Sequence, residues 1–133
     1  STSTALGSAW MSSKPTLLIT GERSAQYDLN AMLQSNIPVN LHLLIVNNGG
    51  GQIFQVIDGP KFAPNHESHF LFQHERSFED AANYLKVPYL SAHDMKSFES
   101  AVAQMMQSPN AAILEVFTDP MASERSWKRR QDA

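Results

Sequence analysis

The sequence PTLLITG at residues 15–21 and the sequence LHLLIV at residues 41–46 are two short, almost uninterrupted apolar runs. Runs of this length are typical of strands that are buried on both faces of a parallel sheet. Between them, Ser24 is predicted to cap a helix that ends at the turn of residues 36–38. Strand, helix and strand in this order predict a right-handed crossover, which places the carboxyl ends of both strands at one edge of the sheet.

The rest of the chain continues this alternation. After a weakly periodic stretch, which we expect to be a long surface excursion, the pattern predicts three more helices and two more strands. The predicted fold is therefore an α/β fold, a three-layer doubly wound parallel sheet with helices on both faces. Ligands of such sheets bind beyond the carboxyl ends of the strands. The predicted segments are the excursion at 55–76, a helix capped by Ser77, a strand at 88–91, a helix capped by Asp94, a strand at 111–117 and a polar helix after Asp119.

Length and composition limit the classes of protein to be considered. The chain has 133 residues, which suits one domain over residues 1–133, and its formal net charge of -3 gives no reason to expect a nucleic-acid partner. It has no cysteine, which excludes disulfides and thiolate metal sites and suits the reducing cytoplasm. No apolar run approaches the roughly 20 residues of a membrane span. We therefore expect a cytoplasmic domain without a membrane span.

Polar residues follow both apolar runs at the shared edge. Glu22 comes directly after the first run, and Asn48 with a run of three glycines comes after the second. The Glu22 carboxylate, the Asn48 amide oxygen and the Gly50 carbonyl would supply the oxygen ligands that Mg²⁺ prefers. Glycine lets the backbone approach a phosphate closely, and Ser24 at a helix start would add amide donors for an anion. Singly, these features are typical of a tight turn and a solvated acid, but their combination favours a site for a metal-bound diphosphate.

Two stretches resemble a known family. A Gly-acid motif followed by Asn-Asn is similar to the cofactor signature of thiamine-diphosphate-dependent enzymes. Among these, GERSAQYDLN at 21–30 and VNNGGGQIF at 46–54 resemble the family of 2-succinyl-5-enolpyruvyl-6-hydroxy-3-cyclohexene-1-carboxylate synthases of menaquinone biosynthesis. The sequences FEDAA at 78–82 and ILEV at 113–116 are similar to the same family, so the resemblance covers nearly the whole chain.

The resemblance implies a thiamine-diphosphate-binding fold and a role for individual residues. It implies that the chain is a C-terminal domain that binds thiamine diphosphate and Mg²⁺ or Mn²⁺, and we expect it to be a fragment of a longer chain. Glu22 stands where the family motif has aspartate, which moves the carboxylate one methylene farther out. By resemblance, the metal ligands are Glu22, Asn48 and Gly50, the cofactor-binding residues are Gly21, Ser24, Asn48, Gly50 and Gly51, and the substrate-proximal residues are Ile53 and Phe54.

The reaction implied by the resemblance is that of a carboligase. The family decarboxylates 2-oxoglutarate and adds the product to isochorismate, in a homo-oligomer whose partner subunit supplies the pyrimidine-binding domain. The activating glutamate lies in the N-terminal part of the family, so no catalytic residue is expected in 1–133 and the isolated chain is expected to be inactive. Two alternatives stay open. One is the same domain of an acetolactate-synthase-like enzyme or a 2-oxoacid decarboxylase, and the other is a non-catalytic assembly module that has lost the cofactor.

Several remaining residues have a functional and a structural interpretation, and the structural one is favoured. The three histidines of the excursion are interpreted as loop residues rather than zinc ligands, and the C-terminal basic run as a solvated face rather than an anion clamp. His42, inside an apolar run, is expected to be a buried histidine with its hydrogen bonds satisfied. These residues are His66, His69, His74 and the run 125–130, and those assigned to packing are Trp10, Trp127, Met105 and Met106.

Overall fold

Four parallel strands form the sheet in the computed structural model, which describes residues 1–33, 36–57 and 59–131. The order of the strands across the sheet is β1, β2, β4 and β3, and each neighbouring pair is parallel. This confirms the predicted α/β fold with a parallel sheet. The strands are β1 (Thr16–Gly21), β2 (Leu41–Asn47), β3 (Tyr89–Ala92) and β4 (Ala112–Phe117).

Helices connect and flank these strands. Three shorter helical turns accompany the α-helices: 3₁₀ turns at Leu29–Leu33 and Pro60–Phe62, and a π-helical turn at Glu67–Leu71. The excursion predicted at 55–76 is thus a series of short helical turns rather than an extended loop. The α-helices are α1 (Thr2–Trp10), α2 (Glu22–Asp28), α3 (Ile53–Val56), α4 (Glu79–Leu85), α5 (Met95–Gln107) and α6 (Pro120–Gln131).

Helices cover both faces of the sheet because the order in which successive strands are added to the sheet reverses once. From β1 to β2 and on to β3 the chain advances across the sheet, and it then steps back from β3 to β4. Since parallel crossovers are right-handed, this reversal moves the connecting helix to the opposite face. Accordingly, Ala25 of α2 and Ala82 of α4 pack in one core cluster, whereas Ala101 and Met105 of α5 pack in the other.

The core lies on both sides of the central strands β2 and β4. Leu43 and Ile45 point to the cluster under α1, α2 and α4, and Leu44 points to the cluster under α5. Each fully buried side chain of this size contributes about 1.5–3 kcal/mol of burial free energy. The continuous apolar run of β2 is therefore explained by burial on both faces.

β1 does not match the prediction that both apolar runs are buried on both faces of the sheet. Leu17 is 43% exposed and Ile19 is 64% exposed, while the side chains between them are partly covered. β1 lies at the edge of the sheet, and α5 packs over β3 and β4 at the opposite edge. The expectation that the 15–21 run is buried on both faces was therefore wrong, because an apolar run does not show which strand is at the edge.

Helix starts were predicted with mixed success. Asp94 begins α5 as predicted, in a capping box in which it accepts a hydrogen bond from Ser97 N–H at 2.7 Å. The N-cap of α4 is Phe78, one residue after the predicted Ser77, although the Ser77 hydroxyl accepts from Glu79 N–H at 2.9 Å. The cap assigned to Ser24 was wrong: Gly21 is the N-cap of α2, and Ser24 lies inside its first turn. The helix begins directly at the end of β1, without the intervening loop that the prediction assumed.

Three other assignments were also tested by the structure. Met105 is buried, but Met106 is 44% exposed on the solvent side of α5, so its assignment to the core was wrong. His42 is buried as predicted, but its Nδ1 atom has no hydrogen-bond partner among the described residues, and burial lowers the pKa of its ring. Trp10 Nε1 donates to the Asn36 carbonyl at 3.2 Å, and the side chain of Trp127 lies outside the described residues. None of the described helices is both long and apolar enough to cross a bilayer.

Candidate functional site

Glu22 and Asn48 converge at the carboxyl edge of the sheet. The parallel register of β1 and β2 pairs Gly21 with Val46, so the two chains leave the sheet side by side. Glu22 is 3% exposed. Burial raises the pKa of its carboxyl, while its own backbone N–H, His74 and the backbone N–H of Asn48 act in the opposite direction. The carboxylate is therefore held next to the Asn48 backbone, as the spacing in the sequence predicted.

Unpartnered polar atoms are concentrated here. In the part of the chain that the structure describes, five of the six buried side-chain atoms without a hydrogen-bond partner belong to four residues around this edge. A buried polar group left unpaired costs about 1–3 kcal/mol, so such groups are rare unless something binds them. The cluster is therefore a candidate ligand site. The five atoms are Glu22 Oε1, Asn48 Oδ1, Gln52 Oε1, Gln52 Nε2 and His74 Nε2.

Two cavities adjoin this cluster. One, of about 270 Å³, is lined by Asn48, Gly49 and His74 among others, and one of about 380 Å³ is lined by Gly49, Gln52 and His74. A third cavity of about 460 Å³ lies over the exposed face of β1 and is lined by apolar side chains such as Ile19. Because a phosphate or a metal ion needs polar partners, we assign the candidate site to the two cavities whose lining includes residues with unpartnered polar atoms, Asn48, Gln52 and His74.

The glycine run is required by the protein's own backbone. A Cβ atom at Gly50 would lie 2.6 Å from the Leu71 carbonyl oxygen, and a Cβ atom at Gly51 would lie 2.6 Å from the Phe70 carbonyl oxygen. The segment 70–74 is hydrogen-bonded to the glycine run. Gly51 N–H donates to the Leu71 carbonyl at 2.7 Å, and His74 N–H donates to the Gly49 carbonyl at 2.9 Å. The π-helical turn is thus seated directly on the glycines.

The carbonyl of Gly50, predicted as a metal ligand, has a partner within the run. It accepts a hydrogen bond from Gln52 N–H at 2.9 Å. A carbonyl oxygen has two lone pairs, so this bond leaves one of them for another ligand.

The Asn47 side chain connects the glycine run to the neighbouring strand and to the segment at Arg76. Its Nδ2 donates to Glu115 Oε1 at 2.7 Å and to the Arg76 carbonyl at 2.9 Å, and its Oδ1 accepts from Gly49 N–H at 2.9 Å. Glu115, fully buried on β4, also accepts from Phe78 N–H at 2.9 Å and from the Tyr89 hydroxyl at 2.7 Å. The carboxylate therefore ties β2, β3, β4 and the start of α4 together. The sequence indicated this only through an acid inside the apolar run of β4.

The other predicted site residues lie around the cluster. Gly21 and Ser24 are exposed at the start of α2. Ile53 begins α3 and is 48% exposed, while Phe54 is partly buried with its ring edge against Phe70, at a centroid distance of 5.7 Å. The structure thus brings Glu22 and Asn48 into one buried cluster and leaves the remaining predicted residues at its margin.

His74 was missed as a site residue. Its side chain is 5% exposed, and its Nε2 lies 3.8 Å from Glu22 Oε1. The other two histidines of the excursion have local contacts: His66 Nδ1 lies 2.7 Å from the Pro60 carbonyl, and His69 Nδ1 lies 2.8 Å from the Ser68 hydroxyl. His74 lies in a loop, as predicted, but the prediction did not include its burial beside Glu22. No local pattern distinguished it, because its burial depends on the return of the chain over the glycines.

The donors of the cluster fit a hard cation. A carboxylate oxygen and an amide oxygen are both buried and have no hydrogen-bond partner within the described parts of the chain, and the Gly50 carbonyl belongs to the loop of Asn48. Mg²⁺ and Mn²⁺ are bound by oxygen ligands of these kinds, usually together with phosphate oxygens. Glu22, Asn48 and Gly50 therefore suit the metal ion that the resemblance implies.

Comparison with known proteins identifies the relatives of the chain. No protein-family model matches it. It is 40% identical over 119 residues to the 2-succinyl-5-enolpyruvyl-6-hydroxy-3-cyclohexene-1-carboxylate synthase of Flavobacterium johnsoniae. The chain is homologous to a segment of this synthase. A synthase of the same name from Flavobacterium psychrophilum is 37% identical over 118 residues.

These matches cover most of the chain but little of the relatives. Each extends over 89% of the chain, which spans 22% of the length of each synthase. The resemblance inferred from the motifs at 21–30 and 46–54 is confirmed. What the whole synthase binds and catalyses is carried to this chain only as a proposal.

Proposed function

We propose that the chain is the diphosphate- and metal-binding domain of a thiamine-diphosphate-dependent synthase of menaquinone biosynthesis, and forms the C-terminal part of a longer protein. The observation that carries this proposal is the pairing of Glu22 and Asn48. They directly follow the ends of two different strands, and each has a buried oxygen with no hydrogen-bond partner among the described residues. Both lie at the sheet edge where ligands of this fold bind. The similarity to two synthases supports the same conclusion.

In this proposal the chain holds a metal ion and the diphosphate. Glu22, Asn48 and the Gly50 carbonyl would hold Mg²⁺ or Mn²⁺, and the exposed start of α2 would face the diphosphate. The pKa of Glu22, raised by burial, would be lowered by a cation beside it, so the cation would stabilise the carboxylate form. When bound, thiamine diphosphate supplies an electron sink for decarboxylation. The proposed cofactor contacts are Gly21, Ser24, Asn48, Gly50 and Gly51.

The proposed reaction is the decarboxylation of 2-oxoglutarate and the addition of the product to isochorismate. The exposed Ile53 and the partly buried Phe54 would lie on the substrate side of the site. The complete site would need the pyrimidine-binding domain of a partner subunit in a homo-oligomer. The chain would therefore have no catalytic residue of its own and would be inactive alone. We place the full enzyme in the cytoplasm.

Metal binding by the full-length protein tests the proposal. With thiamine diphosphate present, Asn48→Ala should lower Mn²⁺ affinity at least tenfold, because it removes a ligand while leaving the strands intact. Asn83→Ala, at an exposed position on α4, is the matched control and should leave the affinity unchanged. Titration calorimetry measures the affinity, and circular dichroism checks the fold.

The same titration separates the alternatives. Absence of cofactor binding at millimolar thiamine diphosphate and Mg²⁺ would favour the non-catalytic assembly module. Cofactor binding without turnover of 2-oxoglutarate would favour an enzyme with another substrate. Unchanged affinity in Asn48→Ala would show that the metal ligands were assigned wrongly.

A further inference from the structure

We propose that His74 is a positioning residue for the metal-binding carboxylate: it donates a hydrogen bond from Nε2–H to Glu22 and so orients the glutamate toward the metal. The inference rests on the proposed function, and it adds a residue to which neither the sequence motifs nor the names of the relatives assign a role.

The first observation is that the side chains of Glu22 and His74 face each other without forming a hydrogen bond. Glu22 Oε1 and His74 Nε2 are both buried, both without a hydrogen-bond partner among the described residues, and 3.8 Å apart. This distance exceeds the 2.7–3.2 Å of an N–H···O hydrogen bond. A small rotation of the glutamate side chain would close the gap, and would satisfy a donor and an acceptor together.

The second observation defines which ring nitrogen carries the hydrogen. The backbone N–H of Arg76 donates to His74 Nδ1 at 3.1 Å. Because a backbone N–H can only donate, Nδ1 must be unprotonated, and the neutral ring then carries its hydrogen on Nε2. Nε2 is therefore a donor directed at Glu22. This excludes Nε2 of the neutral ring as a lone-pair ligand to the metal and favours the role of a partner to the carboxylate.

The third observation is that the backbone of His74 is anchored on both sides. Its own N–H donates to the Gly49 carbonyl at 2.9 Å, and the Leu71 carbonyl accepts from Gly51 N–H at 2.7 Å. On the other side, the Arg76 carbonyl accepts from Asn47 Nδ2 at 2.9 Å. The ring is thus presented from a segment that is fastened to the glycine run and to the end of β2. Such outer partners hold metal-bound carboxylates in a defined orientation.

The length of Glu22 suits this arrangement. Each carboxylate oxygen has two lone pairs, so Glu22 Oε1 can bind a metal ion through one and accept a hydrogen bond from His74 Nε2–H through the other. The extra methylene of glutamate, compared with the aspartate of the motif, extends the carboxylate toward the returning chain. We infer that Glu22 and His74 form a matched pair, and that the shorter side chain of the Glu22→Asp variant would lose the contact.

A double-mutant cycle on the full-length protein tests the pairing. The probe is Mn²⁺ in the presence of thiamine diphosphate, and the free aqueous ion is quantified by electron paramagnetic resonance. His74→Phe should weaken Mn²⁺ binding about 10- to 100-fold, and His74→Gln, which keeps an N–H donor, should recover part of the loss. In the Glu22→Asp background, His74→Phe should have little further effect. His69→Phe, at an exposed histidine of the same segment, is the control.

Each result either supports or overturns the inference. Unchanged affinity in His74→Phe, or the same fold-loss in the wild-type and Glu22→Asp backgrounds, would overturn the pairing while leaving the proposed function intact. A wild-type protein that binds no Mn²⁺ with thiamine diphosphate would overturn both. A purely structural role would show no coupling to Glu22 and no recovery with glutamine. If circular dichroism shows that His74→Phe is misfolded, His74→Ala takes its place in the cycle.

Discussion

Asn47 Nδ2 donates a hydrogen bond of 2.7 Å to Glu115 Oε1, and this buried contact joins the last residue of β2 to the middle of β4. The same asparagine accepts from Gly49 N–H, so the glycine run starts from a point fixed by a carboxylate 68 residues away. The position of Asn48 over the site is therefore set by the core of the sheet.

Glu115→Gln should destabilise the protein by about 1–3 kcal/mol. The carboxylate accepts from three donors, and an amide NH₂ in its place would face one of them and leave both groups unsatisfied. The measurement is the urea midpoint of the full-length protein. Glu99→Gln, at an exposed position on α5, is the control and should leave the midpoint unchanged. Equal midpoints for wild type and Glu115→Gln would show that the network contributes no net stability.

The Tyr89 hydroxyl should ionise at a higher pH than an ordinary tyrosine. Burial raises the pKa of Tyr89 to about 12, and the neighbouring Glu115 adds to the effect. Because the folded-state pKa lies above the ordinary value of about 10, the stabilisation is complete below pH 10 and is lost as the pH rises through about 12. Absorbance titration at the tyrosinate band should show a high-pH step that disappears in Tyr89→Phe. Tyr84→Phe, which removes a phenol that is 75% exposed, is the control and should leave the high-pH step unchanged.

Gly51→Ala should weaken the packing of segment 67–74 against the glycine run. The new Cβ would lie 2.6 Å from the Phe70 carbonyl and 2.9 Å from the Phe54 ring, and relieving such overpacking costs about 1–3 kcal/mol. Hydrogen–deuterium exchange should accelerate across residues 67–74. Gly7→Ala in α1 meets no atom within 4 Å and should leave this exchange unchanged. Wild-type protection in Gly51→Ala would mean that the segment can shift without losing its contacts.

Asp94→Asn should weaken the start of α5 in a pH-dependent way. Its backbone hydrogen bond from Ser97 N–H and the Ser97 side chain lower the pKa of Asp94. A lowered folded-state pKa means that the stabilisation is present above the ordinary value of 3.8 and is lost as the pH falls through the folded-state pKa. Amide exchange of residues 95–98 should therefore be faster in the variant at pH 7, and the difference should vanish in acid. A difference that persists at every acidic pH at which the protein stays folded would argue against this role of the charge.

Much of the fold could be predicted from the sequence because its signals are local. The apolar run of β2, the N-cap at Asp94 and the alternation of periodicities each depend on a few adjacent residues, and the structure confirms them. The convergence of Glu22 and Asn48 was also predictable, since parallel strands in a crossover share their carboxyl edge. The errors at Leu17 and Met106 arose because a local pattern could not show which side of an element faces solvent. The error at Ser24 arose because α2 begins directly at the end of β1.

Local sequence information was sufficient to determine the strands, the parallel order of the crossover and the edge at which a ligand site would form, because hydrophobic periodicity and capping act over one or two turns. Only the tertiary structure decided that His74 faces Glu22, that Asn47 is held by Glu115, and that the glycines accommodate the carbonyls of Phe70 and Leu71. Each of these contacts joins residues that are distant in the chain. They form only when the residues of the excursion pack against the carboxyl edge of the folded sheet. No short-range pattern in the sequence predicts that packing.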